Sequence, residues 1–187
     1  MKGVIFNFLE EFILDHLGKE KYEKILNDSP LVTREAFVGP GLYPDEDLIS
    51  ILARTAEEMG IGTVEALRLF GRFCFPALAN RFPEFTAPYT HPKPFLMIID
   101  STIHMEVEKL YPGTETPSLA YEDSTPDRLI LRYKSKRKLC QFLEGMIDGV
   151  ADHFNSPISH KQVRCMLDGE EACKFELDFA SEGGAVR

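Results

Sequence analysis

The sequence predicts an α+β fold: a helical N-terminal half packed on a C-terminal antiparallel sheet of about four strands, with one inserted helix. Three observations predict it. Apolar residues recur at helical spacing from residue 4 to residue 110, alternating turn-bounded stretches occupy most of the remainder, and one helical stretch interrupts them at 138–151. A length of 187 residues fits one domain, and 44% apolar residues with 14 phenylalanines supply a sizeable core.

In chain order, Val4, Ile5, Phe8, Leu9, Phe12 and Ile13 form the apolar stripe of a first helix, which Gly18 ends. A short second helix covers 19–27. The third covers 45–59, with Leu48, Ile51, Leu52 and Met59 on one face and acids in its first turn. The fourth covers 63–75 and stops near Pro76, because proline lacks the N–H that a helix interior needs. Residues 83–94 hold four prolines and read as a loop. Helical spacing returns over 95–110 and breaks at Pro112-Gly113. Strands follow at 117–123 and 128–134, joined by Ser124–Asp127. After the helix at 138–151 come strands at 157–167 and 172–179 around an Asp168-Gly169 turn, and the tail from Ser181 is expected to fray.

The net charge of −9 argues against nucleic acid, which calls for clustered Lys and Arg. Glu10, Glu11 and Asp15 interrupt the first apolar run, so no signal peptide is expected. No stretch reaches the roughly 20 apolar residues of a membrane span. A soluble, cytoplasmic protein is therefore expected. Its four cysteines would lie in a reducing compartment, where metal binding or redox sensing is favoured over a structural disulfide.

Three constellations can carry chemistry. His104 lies beside the apolar stripe of helix 95–110, and imidazole is a common ligand of haem iron; the ordinary alternative is a half-buried histidine satisfied by a carbonyl. Tyr133, Ser135 and Arg137 alternate in an extended chain and so share a face. Two hydroxyls and a guanidinium there match a pair of carboxylates, although an ordinary basic strand end would look similar. Cys140, Cys165 and Cys173 fall in the C-terminal half, the last two placed symmetrically about Gly169. With His160 they compose a Cys3His zinc set; otherwise they are small buried hydrophobes, the reading preferred for Cys74. Phosphate loops, HExxH pairs and GxSxG elbows are absent, and nothing requires an enzyme.

Taken together these residues resemble the H-NOX family, haem–nitric oxide/oxygen binding domains related to the haem domain of soluble guanylate cyclase, and in particular its bacterial stand-alone members. The similarity runs from MKGVIFNFLEEF to the last strand. It is carried by His104 before Tyr111-Pro112-Gly113, by Pro117, and by Tyr133-x-Ser135-x-Arg137. The resemblance implies one haem-binding domain at 1–181, with a helical subdomain at about 1–60, a haem and sheet subdomain at about 61–181, and a flexible tail at 182–187. Haem b would lie buried between the halves. His104 would ligate its iron, Tyr133, Ser135 and Arg137 would hold the propionates, and Pro117 would press on the porphyrin. Ile5, Leu9, Phe142 and Met146 would line the haem, the last two on the distal side.

Family members that bind oxygen stably supply a distal tyrosine from the inserted helix, and Phe142 stands at the matching position. Bound oxygen needs a hydrogen-bond donor whereas nitric oxide does not, so an apolar wall favours NO, with CO a further candidate. The implied mechanism is that NO binds ferrous haem, breaks the iron–His104 bond and shifts the helical half against the sheet. The sequence ends near Arg187 without an output domain. A separate effector is therefore expected, either a histidine kinase or a cyclic-di-GMP enzyme (diguanylate cyclase or phosphodiesterase). Some relatives hold zinc with cysteines and a histidine in this region, which here implies Cys140, Cys165 and Cys173 with His160 or His153, and a second, redox-sensitive input.

A competing reading is a haem-free, zinc-bound small-molecule or protein-interaction domain. The Cys165-x3-Gly169-x3-Cys173 arrangement also resembles ligand-binding domains related to vinyl reductase. Such a domain needs neither His104 nor the Tyr-Ser-Arg triple. A peroxidase-like enzyme would need a polar distal acid–base pair, which is not evident.

Overall fold

The computed structural model describes residues 1–180, so the predicted tail lies outside the described residues. Helices α1 (Gly3–Leu17), α2 (Lys19–Asp28), α3 (Asp45–Met59) and α4 (Thr63–Arg81) build the N-terminal half. Short helices α5 (Pro83–Thr86) and α6 (Pro92–Met97), a π-helical turn (Ile99–His104) and α7 (Met105–Leu110) lead to the sheet. Strands β1 (Ser118–Thr125) and β2 (Arg128–Lys134) precede α8 (Cys140–His153), then β3 (Ile158–Arg164) and β4 (Cys173–Phe179). All pairings are antiparallel, in the order β1-β2-β4-β3. The α+β class and the four strands agree with expectation, and no described helix is long and apolar enough to cross a membrane.

Two hydrophobic cores form. One gathers Phe6, Leu9, Phe12, Leu52, Phe70 and their neighbours in the helical half. The other gathers Leu131, Phe175, Leu177, Ile147 and Phe95 beneath the sheet. Met146 of α8 packs against both.

Three segments depart from the sequence reading. Helix α4 continues through Pro76 to Arg81 instead of stopping. A proline interior to a helix leaves the carbonyl four residues earlier without its N–H, here that of Arg72. Tertiary contact outweighs this. Helix α8 crosses α4 so closely that a Cβ on Gly145 would stand 1.9 Å from the Arg68 carbonyl oxygen, and one on Gly149 2.8 Å from that of Arg72. Two forked ion pairs, Arg68–Asp148 (2.7 and 3.2 Å) and Arg72–Asp152 (2.6 and 2.9 Å), tie the same two helices.

The predicted loop at 83–94 contains α5 and the start of α6. Prolines at the opening of each are compatible with helix, because a first-turn N–H needs no internal partner, and His91 caps α6 by accepting from the Lys93 amide at 3.2 Å. The single helix expected over 95–110 is interrupted by the π-helical turn, within which the Ile103 amide reaches back five residues to the Ile98 carbonyl at 3.4 Å. Buried Lys93 fastens α6 to the β1–β2 hairpin through the Thr125 carbonyl (2.5 Å) and Asp123 (2.6 Å).

Candidate haem site

His104 closes the π-helical turn, with its Nδ1 buried and lacking a hydrogen bond. That nitrogen stands 3.5 Å from Asp100 Oδ1, one helical turn earlier. The same Asp100 oxygen accepts from the Leu119 amide at 2.8 Å, so one carboxylate ties the histidine's segment to β1. Burial lowers the His104 pKa, outweighing the opposing pull of Asp100, Glu108 and the Pro117 carbonyl. Burial thus favours the neutral imidazole, the form that binds metal. Pro117 is half-buried beside this ring, between α7 and β1.

Tyr133 and Ser135 are buried on the inner side of β2 and the segment after it, while Lys134 and Lys136 are exposed, as strand alternation requires. The Ser135 hydroxyl accepts from the Arg137 amide at 3.2 Å. Burial chiefly, with some help from Cys140 and Cys173, pushes the Tyr133 hydroxyl up, and Ser135 and the Leu139 backbone oppose this. Arg137 donates from Nε to Asp45 Oδ2 (2.7 Å) and from Nη1 to the Glu115 carbonyl (2.6 Å). Asp45 also holds the Met1 amine at 2.7 Å. The guanidinium therefore bridges the sheet half to the start of α3 and to the chain's first residue.

On the other wall, Leu9 is fully buried, whereas Ile5, Phe142 and Met146 are half-buried although they pack against the helical core. The Phe142 ring lies 5.4 Å from that of Phe70. None of these four side chains carries a hydrogen-bond donor.

The structure brings together three of the four predicted zinc ligands. The Sγ atoms of Cys140, Cys165 and Cys173 all lie within 4.8 Å of one another, with Cys140 and Cys173 at 3.0 Å. Neither candidate histidine joins them. His160 points to α8, where its Nε2 meets Asp148 Oδ1 at 2.8 Å, because β3 turns that residue to the α4–α8 clamp. The exposed His153 stacks edge-on against Phe75 and Phe154. Cys74 is a buried core residue, as expected.

Sequence reading missed Asp100, Asp45 and Met1. The four-residue spacing of Asp100 and His104 is a helix-neighbour signal that could have found the first. No local signal links Asp45 to Arg137, which are 92 residues apart.

The donor set fits haem. It combines a half-buried imidazole whose surroundings favour its neutral form, a patch of two hydroxyls and a guanidinium suited to paired carboxylates, and half-buried apolar side chains where two cores meet. Residues 2–162 match the family model described as Haem-NO-binding. The chain belongs to this family. H-NOX domains bind haem, sense NO or oxygen and signal to effectors; they are sensors rather than catalysts.

Among solved structures, the chain is similar to an H-NOX protein from Shewanella oneidensis in the Fe(II)NO state, with 29% identity, a TM-score of 0.90, and 97% of this chain and 100% of that one covered. It is also similar to the unliganded Fe(II) H-NOX protein from K. algicida, with 27% identity, a TM-score of 0.85, and 98% and 99% covered. A curated relative is soluble guanylate cyclase 89Db of Drosophila melanogaster, 24% identical over 82% of this chain. The chain spans 23% of that cyclase's length.

Proposed function

We propose that residues 1–181 form one haem-binding domain that senses nitric oxide and passes the signal to a separate effector, a histidine kinase or a cyclic-di-GMP enzyme. The observation that carries the choice of gas is the distal wall, where Phe142 packs on Phe70 and no side chain among Ile5, Leu9, Phe142 and Met146 can donate a hydrogen bond. Oxygen, which needs such a donor, is disfavoured; NO and CO are not. Bound haem would supply a ferrous centre that takes NO and loosens its bond to a proximal histidine.

The chain's own residues supply the rest. Tyr133, Ser135 and Arg137 would hold the propionates, and Pro117 would press on the porphyrin from the histidine's side. A segment released with His104 would be only partly held: Ile99 and Ile103 rest on the core beneath the sheet, but no residue of the π-helical turn or of α7 is fully buried. Asp100 carries that freedom to β1, and Arg137 carries any shift at the propionate edge to Asp45 and Met1 in the helical half. The family resemblance, with a half-buried His104 whose surroundings favour its neutral form, supports this reading over a haem-free domain.

The three thiols support a zinc site as a second input, with Cys140, Cys165 and Cys173 as ligands and the fourth position left to a group other than His160 or His153. Metal analysis of the reduced protein tests it; one zinc per chain is expected, and none removes the idea.

The test of the main reading is the absorption spectrum of the ferrous protein in air and under NO. NO should shift the Soret band while air leaves no stable oxygen complex, and Phe142→Tyr should gain one. A stable oxygen complex in the unsubstituted protein, or no Soret band despite haem supply, overturns it.

A further inference from the structure

The segment that carries His104 ends at Tyr111, about two helical turns further on, where the Tyr111 amide donates to the Val107 carbonyl at 2.9 Å and closes α7. The Tyr111 ring meets Lys2, whose Nζ lies 4.2 Å from the ring centroid. The same ammonium donates to the Pro40 carbonyl at 2.6 Å. Half-buried Lys2 is held in place, because it and its neighbours pair with the loop before α3. The Met1 amine donates to the Tyr43 carbonyl (2.6 Å) and the Tyr43 amide to the Met1 carbonyl (3.0 Å). The Gly3 and Val4 amides donate to the carbonyls of Gly41 (2.9 Å) and Gly39 (3.1 Å). The turn after Tyr111 rests on this loop too, since a Cβ on Gly113 would stand 3.9 Å from Leu42 Cδ1.

We propose that Lys2 is a positioning residue for the iron–histidine bond: pinned to the helical half, its ammonium holds the Tyr111 ring, and with it the far end of the His104 segment, and so slows loss of that bond under NO. The proposal rests on the haem and NO reading above.

An ammonium is drawn to the negative face of an aromatic ring and keeps protons to spare after serving one carbonyl. Lys2 is thereby fixed on one side to backbone of the helical half and on the other to a side chain of the moving segment. Among the described residues, no charged side chain of α7 makes such a contact. Lys109 pairs with Glu106 at 2.7 Å, and Glu108 accepts from Thr116. No residue of α7 is fully buried, so a single contact at its end is a large share of what holds it. A shift of α7 that follows release of His104 must pull Tyr111 from the ammonium, and that loss adds to the barrier. Lys2 touches neither haem nor gas; it acts through Tyr111.

The experiment mixes the full haem-loaded ferrous chain with NO in a stopped-flow spectrometer and follows the Soret change as the iron–His104 bond breaks. Lys2→Met should speed that step about threefold, the loss of one exposed cation–π contact. Tyr111→Leu should do the same, and the double substitution should be no faster than either, because both remove one interaction. Lys2→Arg should stay close to the unsubstituted rate, since a guanidinium also stacks on an aromatic face. An unchanged rate in Lys2→Met overturns the proposal, even if its melting temperature falls, because packing alone would give that result. Two effects that multiply in the double substitution, or Lys2→Arg as fast as Lys2→Met, overturn it as well. If Tyr111→Leu does not load haem, the comparison of Lys2→Met with Lys2→Arg decides. Failure of the unsubstituted chain to load haem, or to lose the iron–histidine bond under NO, removes the haem and NO reading itself and the role of Lys2 with it.

Discussion

The two walls that flank the candidate haem site are built in opposite ways. The distal wall, α8, is one continuous helix of 14 residues, seated against α4 through glycines and tied by two forked Arg–Asp pairs. The proximal wall is broken into α6, a π-helical turn and α7, and its last two pieces bury no residue. Such a difference separates a part that keeps its shape from a part that is cheap to move, since local stability follows buried apolar contact. His104, the proposed iron ligand, lies on the second kind. A sensor needs that asymmetry: if both walls were rigid, breaking one bond would move nothing.

The contrast can be broken at either wall. The largest expected effect is Gly145→Ala, whose new Cβ meets the Arg68 carbonyl in a contact that backbone must relieve. A loss of about 3 kcal/mol is expected in denaturant titration, and a loss under 1 kcal/mol would mean that α8 is not seated as described. Asp100→Ala strands the Leu119 amide and should cost about 1–2 kcal/mol. It should also lower the ferrous iron–histidine stretching frequency in resonance Raman spectra; an unchanged band would remove Asp100 from the proximal wall's connections.

Arg68→Ala removes a half-exposed partner, so solvent limits the effect to about 0.5–1 kcal/mol at neutral pH. This contribution depends on pH in one direction. Burial alone would raise the Asp148 carboxyl, but Arg68 and His160 outweigh it and hold it below the usual range. A carboxyl depressed in the folded state stabilises fully above its unfolded pKa of about 4 and loses that contribution as pH falls through the folded value. Thermal melts of Arg68→Ala and the unsubstituted chain should therefore converge in acid; a gap that widens there would contradict the clamp. Met105→Ala, on the exposed face of the proximal wall, should change stability by less than about 0.5 kcal/mol.

The same contrast explains what was legible in the sequence. Regular periodicity made α1, α3, α8 and all four strands readable, because their burial follows one repeat. The proximal segment carries the helical repeat too, yet the π-helical turn leaves the apolar pattern of Ile98, Ile99 and Ile103 intact, so nothing in the sequence marks it. Pro76 misled for the converse reason: a local breaking signal is outweighed by glycines on a helix about 70 residues away. At the site, type and spacing single out His104, Tyr133, Ser135 and Arg137 but leave ordinary alternatives open, and their proposed roles come from the family resemblance. His160 has the right chemistry for zinc but the wrong direction, which strand register decides. Asp45 reaches Arg137, and Met1 reaches Asp45, only through the fold.

Hydrogen–deuterium exchange of the haem-loaded ferrous chain, before and after NO, tests the central claim most directly. The account predicts that amides of residues 98–110 lose protection when NO arrives, while those of α8 opposite α4 keep theirs. Protection lost along α8 with residues 98–110 unchanged would contradict it.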